Sequence, residues 1–546
     1  MALLRNPHLQ MPGFNLALNI SSTWRFGVID NDVSKVLILV QLTLLPRFPT
    51  VLREIVMMRV MDSITDKTQW DQKSFNENIT SKWYQEFARS GLDMTPKIMA
   101  LVIKELQWKA DILNKTGHVR VFDVGVIKSE TVISKDLQEA LKERVKPLND
   151  VPEDQKDYHP RSDQKVVDLV HPSLFPVIYG RTHVLLDRVI EFDDCIGSMG
   201  QGGLLPVPPD EEVYVYPYYK APYKADLSLL SQKFQWLPCD YWEIITQTIP
   251  LWEKSLSSRH FEEDRIKYTE VKYGEHLEPE PIPPWDGLNL EDYPDTPNPW
   301  SEAEEDAYYE LLEAWDASRP IILPEPGESR THEETGYKRV DLRKEFPGQR
   351  IQVIVKLANI ELTPESPDYE GGSCHIEGQL NERIAASAIY YYDSENIKPS
   401  TLSFRQHGRS DFWVFGTSEG MNFSKPSSEL ASVLCQEGRL LTFPNTVQHR
   451  VSSFSLADRS KPGHRRILAL FLVDPHRRII SSANVPPQRE DWLPEELESK
   501  AKRDMKPLMT MDEAREARLE LMAERSLQSA EGNRKYETGD FNLCEH

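Results

Sequence analysis

The sequence predicts an α+β protein, with a helical N-terminal half and a β-rich C-terminal half that closes into a barrel or sandwich with flanking helices. Three observations predict it. Apolar residues recur at helical spacing between Arg53 and Lys109. Beyond Gln349, short apolar or β-branched runs alternate with clusters of Gly, Pro, Ser and Asn. Between the two lies a strongly acidic, proline-rich stretch from Glu275 to Pro326.

The elements follow in order. Phe75, Ile79, Trp83 and Phe87 fall four apart and mark one buried helical face; Met99, Val102, Ile103 and Leu106 mark another after a break at Gly91 to Pro96. Val119 to Val132 turns to short β-branched runs, and Ser134 caps a helix reaching Val145. Residues 152–164 form a polar linker, and the Gly, Pro and Tyr of 200–223 demand extended or turn-rich backbone. Ile245 to Ser257 resumes a helical pattern that Pro250 interrupts, and Ser301 opens a helix to Trp315. Strands are expected at Ile351 to Leu357, Arg383 to Tyr392, Leu402 to Arg405, Arg439 to Phe443 and Arg466 to Val473. After Pro486 the chain turns helical and charged, with a disordered tail expected from about Ser529. The resulting divisions are an N-terminal extension (1–52), a mainly helical scaffold (53–274), an acidic linker (275–345), the β core (346–485) and a charged helical C-terminal region (486–546).

At 546 residues the chain exceeds what one hydrophobic core usually organises. A formal charge of -22, from 86 acidic and 64 basic residues, excludes a protein built mainly to grip phosphate backbones. Five cysteines, Cys195, Cys239, Cys374, Cys435 and Cys544, lack CxxC spacing, which argues against a disulfide framework and a structural zinc site. The N-terminus lacks a secretory pattern, and the most apolar run, Val36 to Leu45, falls well short of the roughly 20 residues of a membrane helix. The expected location is intracellular, cytoplasmic or nuclear, with no transmembrane segment.

Chemistry is expected at His375, Glu377 and His449. A His-x-Glu pair on a strand puts both side chains on one face, and a histidine from a distant strand completes a facial triad that leaves positions open on a ferrous ion. His-x-Glu alone is weak, because His260 and Glu262, His276 and Glu278, and His332 and Glu334 match it too. His375 differs in its surroundings: Gly371 and Gly372 lead in, a strand follows, and a further strand, turn and His449 come downstream.

The run from "CHIEGQLNERIAASAIYYYD" through "EGRLLTFPNTVQHRV" to "GHRRILALFLVDP" resembles the core of the 2-oxoglutarate- and Fe(II)-dependent oxygenases, in particular the prolyl-hydroxylase type. More narrowly, "LREIVMMRVMDSITDK", "KFQWLPCD", "IPLWEKSL" and "KPGHRRILALFLVDP" resemble a large fungal family of unknown function with this core behind a helical half. The resemblance departs between "KFQWLPCDYWEI" and "IPLWEKSL", where that family carries an additional segment. It implies a double-stranded β-helix, the jelly-roll or cupin-like barrel, for the 346–485 core. It makes His375, Glu377 and His449 the iron ligands, with Arg465 gripping the far carboxylate of 2-oxoglutarate and Tyr391 hydrogen-bonding that co-substrate. Alternation leaves open whether Arg465 or Arg466 points inward, since Ile467, Ala469 and Phe471 on one face are as apolar as Leu468, Leu470 and Leu472 on the other. The implied activity is hydroxylase-type C–H oxidation of a small-molecule or protein side-chain substrate. The alternatives are a β-helix scaffold without turnover and a cupin-like metalloenzyme that does not use 2-oxoglutarate.

Overall fold

The computed structural model describes residues 52–205, 241–257, 265–266, 272–327, 340–405, 429–487 and 508–538, apart from 179, 191–193, 195–196, 290–291, 293–297, 379–381, 383 and 477. Val36 to Leu45, Cys239, Cys544, His260 and His332 lie outside the described residues, as does most of the stretch 200–223.

Four helices open the described chain, α1 (Leu52–Thr65), a single turn at Trp70–Lys73, α2 (Glu77–Arg89) and α3 (Pro96–Thr116). Asn76 caps α2 through its side chain, Thr95 caps α3 ahead of Pro96, and Gly117 ends α3 at φ 75°. Trp83 and Phe87, then Met99, Val102 and Leu106, are buried as the spacing predicts. Phe75 is not: it precedes the Asn76 cap, outside the helix, and is 55% exposed. Strands β1 (Val119–Phe122) and β2 (Val126–Ser129) lead to α4 (Lys135–Asn149), capped by Ser134, and then to β3 (Val166–Val170).

Helix α5 (Tyr241–Leu256) runs through Pro250 without breaking. The proline costs about 3 kcal/mol in a helix interior. Full burial of Leu251 and Trp252 beneath the sheet offsets it at about 1.5–3 kcal/mol per side chain. Helix α6 (Glu302–Ala317) has a complete capping box between Ser301 and Glu304 and buries no residue. At the C-terminus α7 (Met511–Thr538) continues past Ser529, where a disordered tail was expected.

The β half comprises β4 (Val353–Leu362), β5 (Ile384–Glu395), β6 (Thr401–Arg405), β7 (Glu429–Leu434), β8 (Leu440–Pro444), β9 (Gln448–Val451) and β10 (Gly463–Val473). Seven strands form one antiparallel sheet in the order β1-β2-β8-β5-β10-β4-β3. A smaller antiparallel sheet has the order β7-β6-β9, and a bridge between His375 and His449 adds the ligand segment beside β9. The two sheets pack through Ile389, Leu441 and Phe443 on one and Leu402, Phe404 and Val433 on the other. The opposite face of the large sheet, with Tyr390, Tyr392, Leu468, Leu470 and Leu472, is covered by Leu141 and Val145 of α4 and Trp252 of α5.

Candidate metal centre

Main-chain pairing brings the first histidine to the second. Gly371 (φ 91°) lies so close to β9 that a Cβ would sit 2.8 Å from the Val451 carbonyl oxygen, so a side chain there would push the segment away. The Gly372 N–H donates to the same carbonyl (2.9 Å). His375 and His449 then exchange both main-chain hydrogen bonds, at 3.1 and 2.9 Å. Directly opposed residues of an antiparallel pair project to the same side. Their rings accordingly lie 4.5 Å apart between centroids.

Glu377 joins them by alternation, and Asn445 fixes its backbone. The Glu377 N–H donates to Asn445 Oδ1 (2.8 Å), while Asn445 Nδ2 donates to the carbonyls of Glu377 (2.8 Å) and Ile384 (3.1 Å). Glu377 Oε1 thereby sits 3.7 Å from His375 Nε2 and 3.4 Å from His449 Nε2, and the three ligand atoms lie within 4.8 Å of one another. Neighbouring ligands at the usual 2.0–2.1 Å around one ion stand about 3 Å apart, so a slight contraction suffices. His375 Nδ1 donates to the Ser373 carbonyl (2.8 Å), which leaves the Nε2 lone pair for a metal and fixes the ring. The donor set fits a divalent ion such as ferrous iron.

Asn445→Ala removes all three of these contacts. It is expected to weaken ferrous or cobaltous ion binding by about 10- to 100-fold, with a smaller loss in Asn445→Asp, which keeps the acceptor. Equal metal dissociation constants in wild type and Asn445→Ala would refute the positioning role.

The electrostatics suit a cation. Burial would raise the Glu377 carboxyl, but hydrogen bonds and charge from both imidazoles hold it well below its usual range. Burial also dominates at His449 and lowers it, helped by the charge of His375. At His375 desolvation is outweighed by the Glu377 hydrogen bond and charge, and the imidazole is raised. The centre opens on the His375 side, whose side chain is 39% exposed, against 19% for Glu377 and 3% for His449.

Arg465, not Arg466, points between the sheets. It is 2% exposed and shares a face with Ile467, while Arg466 turns outward to Asp393 (3.0 Å). The Arg465 guanidinium donates to Ser400 Oγ (2.5 Å) and lies 4.4 Å above the Phe454 ring and 5.8 Å from that of Tyr391. Among the described residues no carboxylate lies within 4.0 Å of it. Tyr391 is on the same inner face, its hydroxyl accepting from the Cys435 thiol (3.2 Å), and burial raises its pKa well above the usual value. Arg405 donates to Gln448 (2.5 Å); Arg383 and Arg409 lie outside the described residues. His276 stacks on Trp315 at 3.3 Å in the acidic stretch.

Two features escaped the sequence reading. Asn445 could have been suspected from its place in the tight turn between β8 and β9. The other is a second cluster, His159, Asp168 and His171, whose ligand atoms also lie within 4.8 Å of one another. Its spacing matches no motif, and its wiring opposes metal binding. The Ser173 N–H donates to His171 Nδ1 (3.1 Å), whereas a histidine ligating through one nitrogen donates from the other. The Arg518 guanidinium already stands 3.8 Å from Asp168 while holding Asp157 at 2.5 and 2.9 Å, so this cluster ties α7 to β3.

Fold and centre together define an α+β protein with a large antiparallel sheet and a His/Glu/His group of metal-ligand geometry. The chain belongs to the family described as a protein of unknown function (DUF4246), whose profile matches residues 96–242 and 242–496, with the family's N-terminal domain matching 11–86. The two pieces meet at Trp242, inside the run "KFQWLPCDYWEI" after which the resemblance places an additional segment. No curated protein matches the chain. Among solved structures it is similar to the Fe(II)/(alpha)ketoglutarate-dependent dioxygenase TqaL (14% identity, 32% of this chain and 55% of that one, TM-score 0.17). It is also similar to a Pseudomonas putida prolyl-4-hydroxylase (16%, 23% and 52%, 0.13) and to procruciferin, an 11S globulin from Brassica napus (9%, 30% and 30%, 0.13). The chain spans about half the length, or less, of these structures, and at such scores the likeness decides neither fold nor function. Among the described residues, no helix is long and apolar enough to cross a membrane.

Proposed function

We propose that the protein is a non-haem Fe(II), 2-oxoglutarate-dependent oxygenase of the hydroxylase type, built on a double-stranded β-helix with the helical half, 53–274, as its scaffold. The carrying observation is the convergence of His375 Nε2, His449 Nε2 and Glu377 Oε1 on one point. The strand order supports the fold: along the chain the strands of β8-β5-β10-β4 are interleaved with the His375 segment, the consecutive pair β6 and β7, and β9, giving two intercalated four-stranded layers.

In this reading His375, Glu377 and His449 hold the iron, which supplies the oxidising chemistry toward a C–H bond when bound with 2-oxoglutarate and oxygen. The chain's own residues bind and orient. Arg465, buried and without a carboxylate partner among the described residues, receives the far carboxylate of the co-substrate through its planar fork. Phe454 fixes the plane of that fork by stacking, and Ser400 holds one of its nitrogens. Tyr391 keeps its proton and stays a neutral hydrogen-bonding group beside it. Phe443, whose ring centroid is 4.7 Å from that of His449, helps exclude water from the deep side.

Anaerobic titration of the apo-protein with Fe(II) and 2-oxoglutarate tests the reading. A weak visible charge-transfer band is expected, followed in air by succinate release without added substrate. Failure of the wild type to develop the band would sink the 2-oxoglutarate assignment.

A further inference from the structure

The tight turn between β7 and β8 carries a thiol into the space between the sheets. The Arg439 N–H donates to the Gln436 carbonyl (3.1 Å), Gly438 takes φ 81°, and the turn pairs with β5 at Tyr391. The Tyr391 N–H donates to the Arg439 carbonyl (3.1 Å), and its own carbonyl accepts from the Gly438 N–H (2.8 Å). At the head of the turn the Cys435 N–H donates to the Ser400 carbonyl (2.8 Å), and the Ser400 hydroxyl holds Arg465 (2.5 Å). Main-chain bonds thus set Cys435 beside both Tyr391 and the residue that anchors Arg465.

The side chains complete the arrangement. The Cys435 thiol lies 3.2 Å from Tyr391 Oη, and the two residues are 6% and 1% exposed. A hydroxyl oxygen is a good acceptor and a thiol sulfur a poor one, so the S–H points to the oxygen. Burial raises the pKa of both groups, which keeps the thiol and phenolic protons in place. With the thiol on one side of Oη, the phenolic proton is directed away from it.

That proton has no acceptor among the described residues, and Arg465 Nε, also buried, has no partner there either. The guanidinium carbon is 5.8 Å from the centre of the Tyr391 ring. Two donors therefore stand side by side in an apolar interior: a guanidinium that cannot accept and a phenol whose accepting side is taken. An anionic oxygen satisfies both, and an ammonium satisfies neither.

We propose that Cys435 is a positioning residue of the co-substrate site: its thiol donates to Tyr391 Oη and turns the phenolic proton toward the far carboxylate of 2-oxoglutarate, which Tyr391 and Arg465 then grip together. The proposal deepens the oxygenase reading above and rests on it. Hydrogen bonds in series polarise one another in a dry interior, so the thiol strengthens the phenol as a donor without touching the co-substrate.

Calorimetric titration of the intact, Co(II)-loaded protein with 2-oxoglutarate tests it. Cys435→Val, which keeps the bulk and drops the donor, is expected to weaken binding by about threefold to tenfold, the effect of losing one neutral hydrogen bond. Cys435→Ala repeats the comparison without a branched side chain. Cys435→Ser restores a donor and should return affinity to within about twofold of the wild type. In Tyr391→Phe, itself weaker than the wild type, adding Cys435→Val should change affinity by less than about twofold, because no hydroxyl is left to position. Affinity for Co(II) should be the same in every variant, and thermal unfolding reports whether each is folded.

Three results overturn the proposal: equal 2-oxoglutarate affinity in wild type and Cys435→Val, no recovery in Cys435→Ser, or an undiminished loss in the Tyr391→Phe background, which would assign the effect to packing. Failure of the oxygenase reading is recognisable separately, as a wild type that does not bind Co(II) or does not bind 2-oxoglutarate, and it removes this proposal as well.

Discussion

Replacing His449 by alanine is expected to lower affinity for ferrous ion by more than about 100-fold, beyond the 10- to 100-fold typical of losing a group that merely orients a ligand. His449 is the most buried of the three candidate ligands, and its Nε2 is the closer of the two imidazole nitrogens to Glu377. Its loss leaves two donors on one short segment, His375 and Glu377, with nothing from β9 to close the triangle. The main chain stays paired, since the hydrogen bonds between positions 375 and 449 run through backbone atoms. The prediction therefore separates ligation from folding. Equilibrium dialysis with Fe(II) or Co(II), alongside thermal unfolding of the apo-proteins, reads both. Retention of wild-type affinity by a folded His449→Ala protein would remove His449 from the centre.

The second large effect concerns stability. Arg265 and Glu105 are buried to 2% and 3% and joined by hydrogen bonds of 2.7 and 2.8 Å, with Asp123 at 2.8 Å from the same guanidinium and Lys109 at 3.4 Å from Glu105. Removing one partner of such a pair strands the other charge away from water. Arg265→Met is expected to cost about 3–5 kcal/mol, read as a lower urea midpoint of the intact chain. A midpoint equal to that of the wild type would show that the group carries no net stabilisation. The acid response gives a second handle. Burial would raise Glu105, but Arg265 and Lys109 lower it. A carboxyl lowered on folding contributes stability that is complete above its unfolded pKa and fades as pH falls below it. The wild type should therefore lose this increment on acidification, and Arg265→Met should have little of it to lose.

Legibility in the sequence followed the physics of each feature. Five of the seven strands named in the β half were legible because short apolar runs between turn residues leave few alternatives, whereas β7 and β9 were not expected. The His375 segment stood out through Gly371, which the close approach to β9 requires. The choice between Arg465 and Arg466 was not legible, and the reason is burial. The large sheet is covered by helices on one side and by the smaller sheet on the other, so both faces of β10 are apolar and alternation carries no sign. Pro250 misled because the local cost of a proline is visible in sequence and the tertiary burial that offsets it is not. Asn445 was missed because its partners, Glu377 and Ile384, lie far from it in sequence, and the Asp168 cluster because the spacing of its three members matches no motif.

The seven-stranded sheet has a consequence for how this chain can be divided. The C-terminal strands β8, β5, β10 and β4 are bordered on both sides by strands from the N-terminal half, β2 against β8 and β3 against β4. A fragment beginning near residue 346 would leave two rows of main-chain donors and acceptors bare, a template for pairing with other copies of itself. The early strands thus act as hems on a cloth woven later in the sequence. A working fragment must keep them, even though none of the candidate ligands lies there.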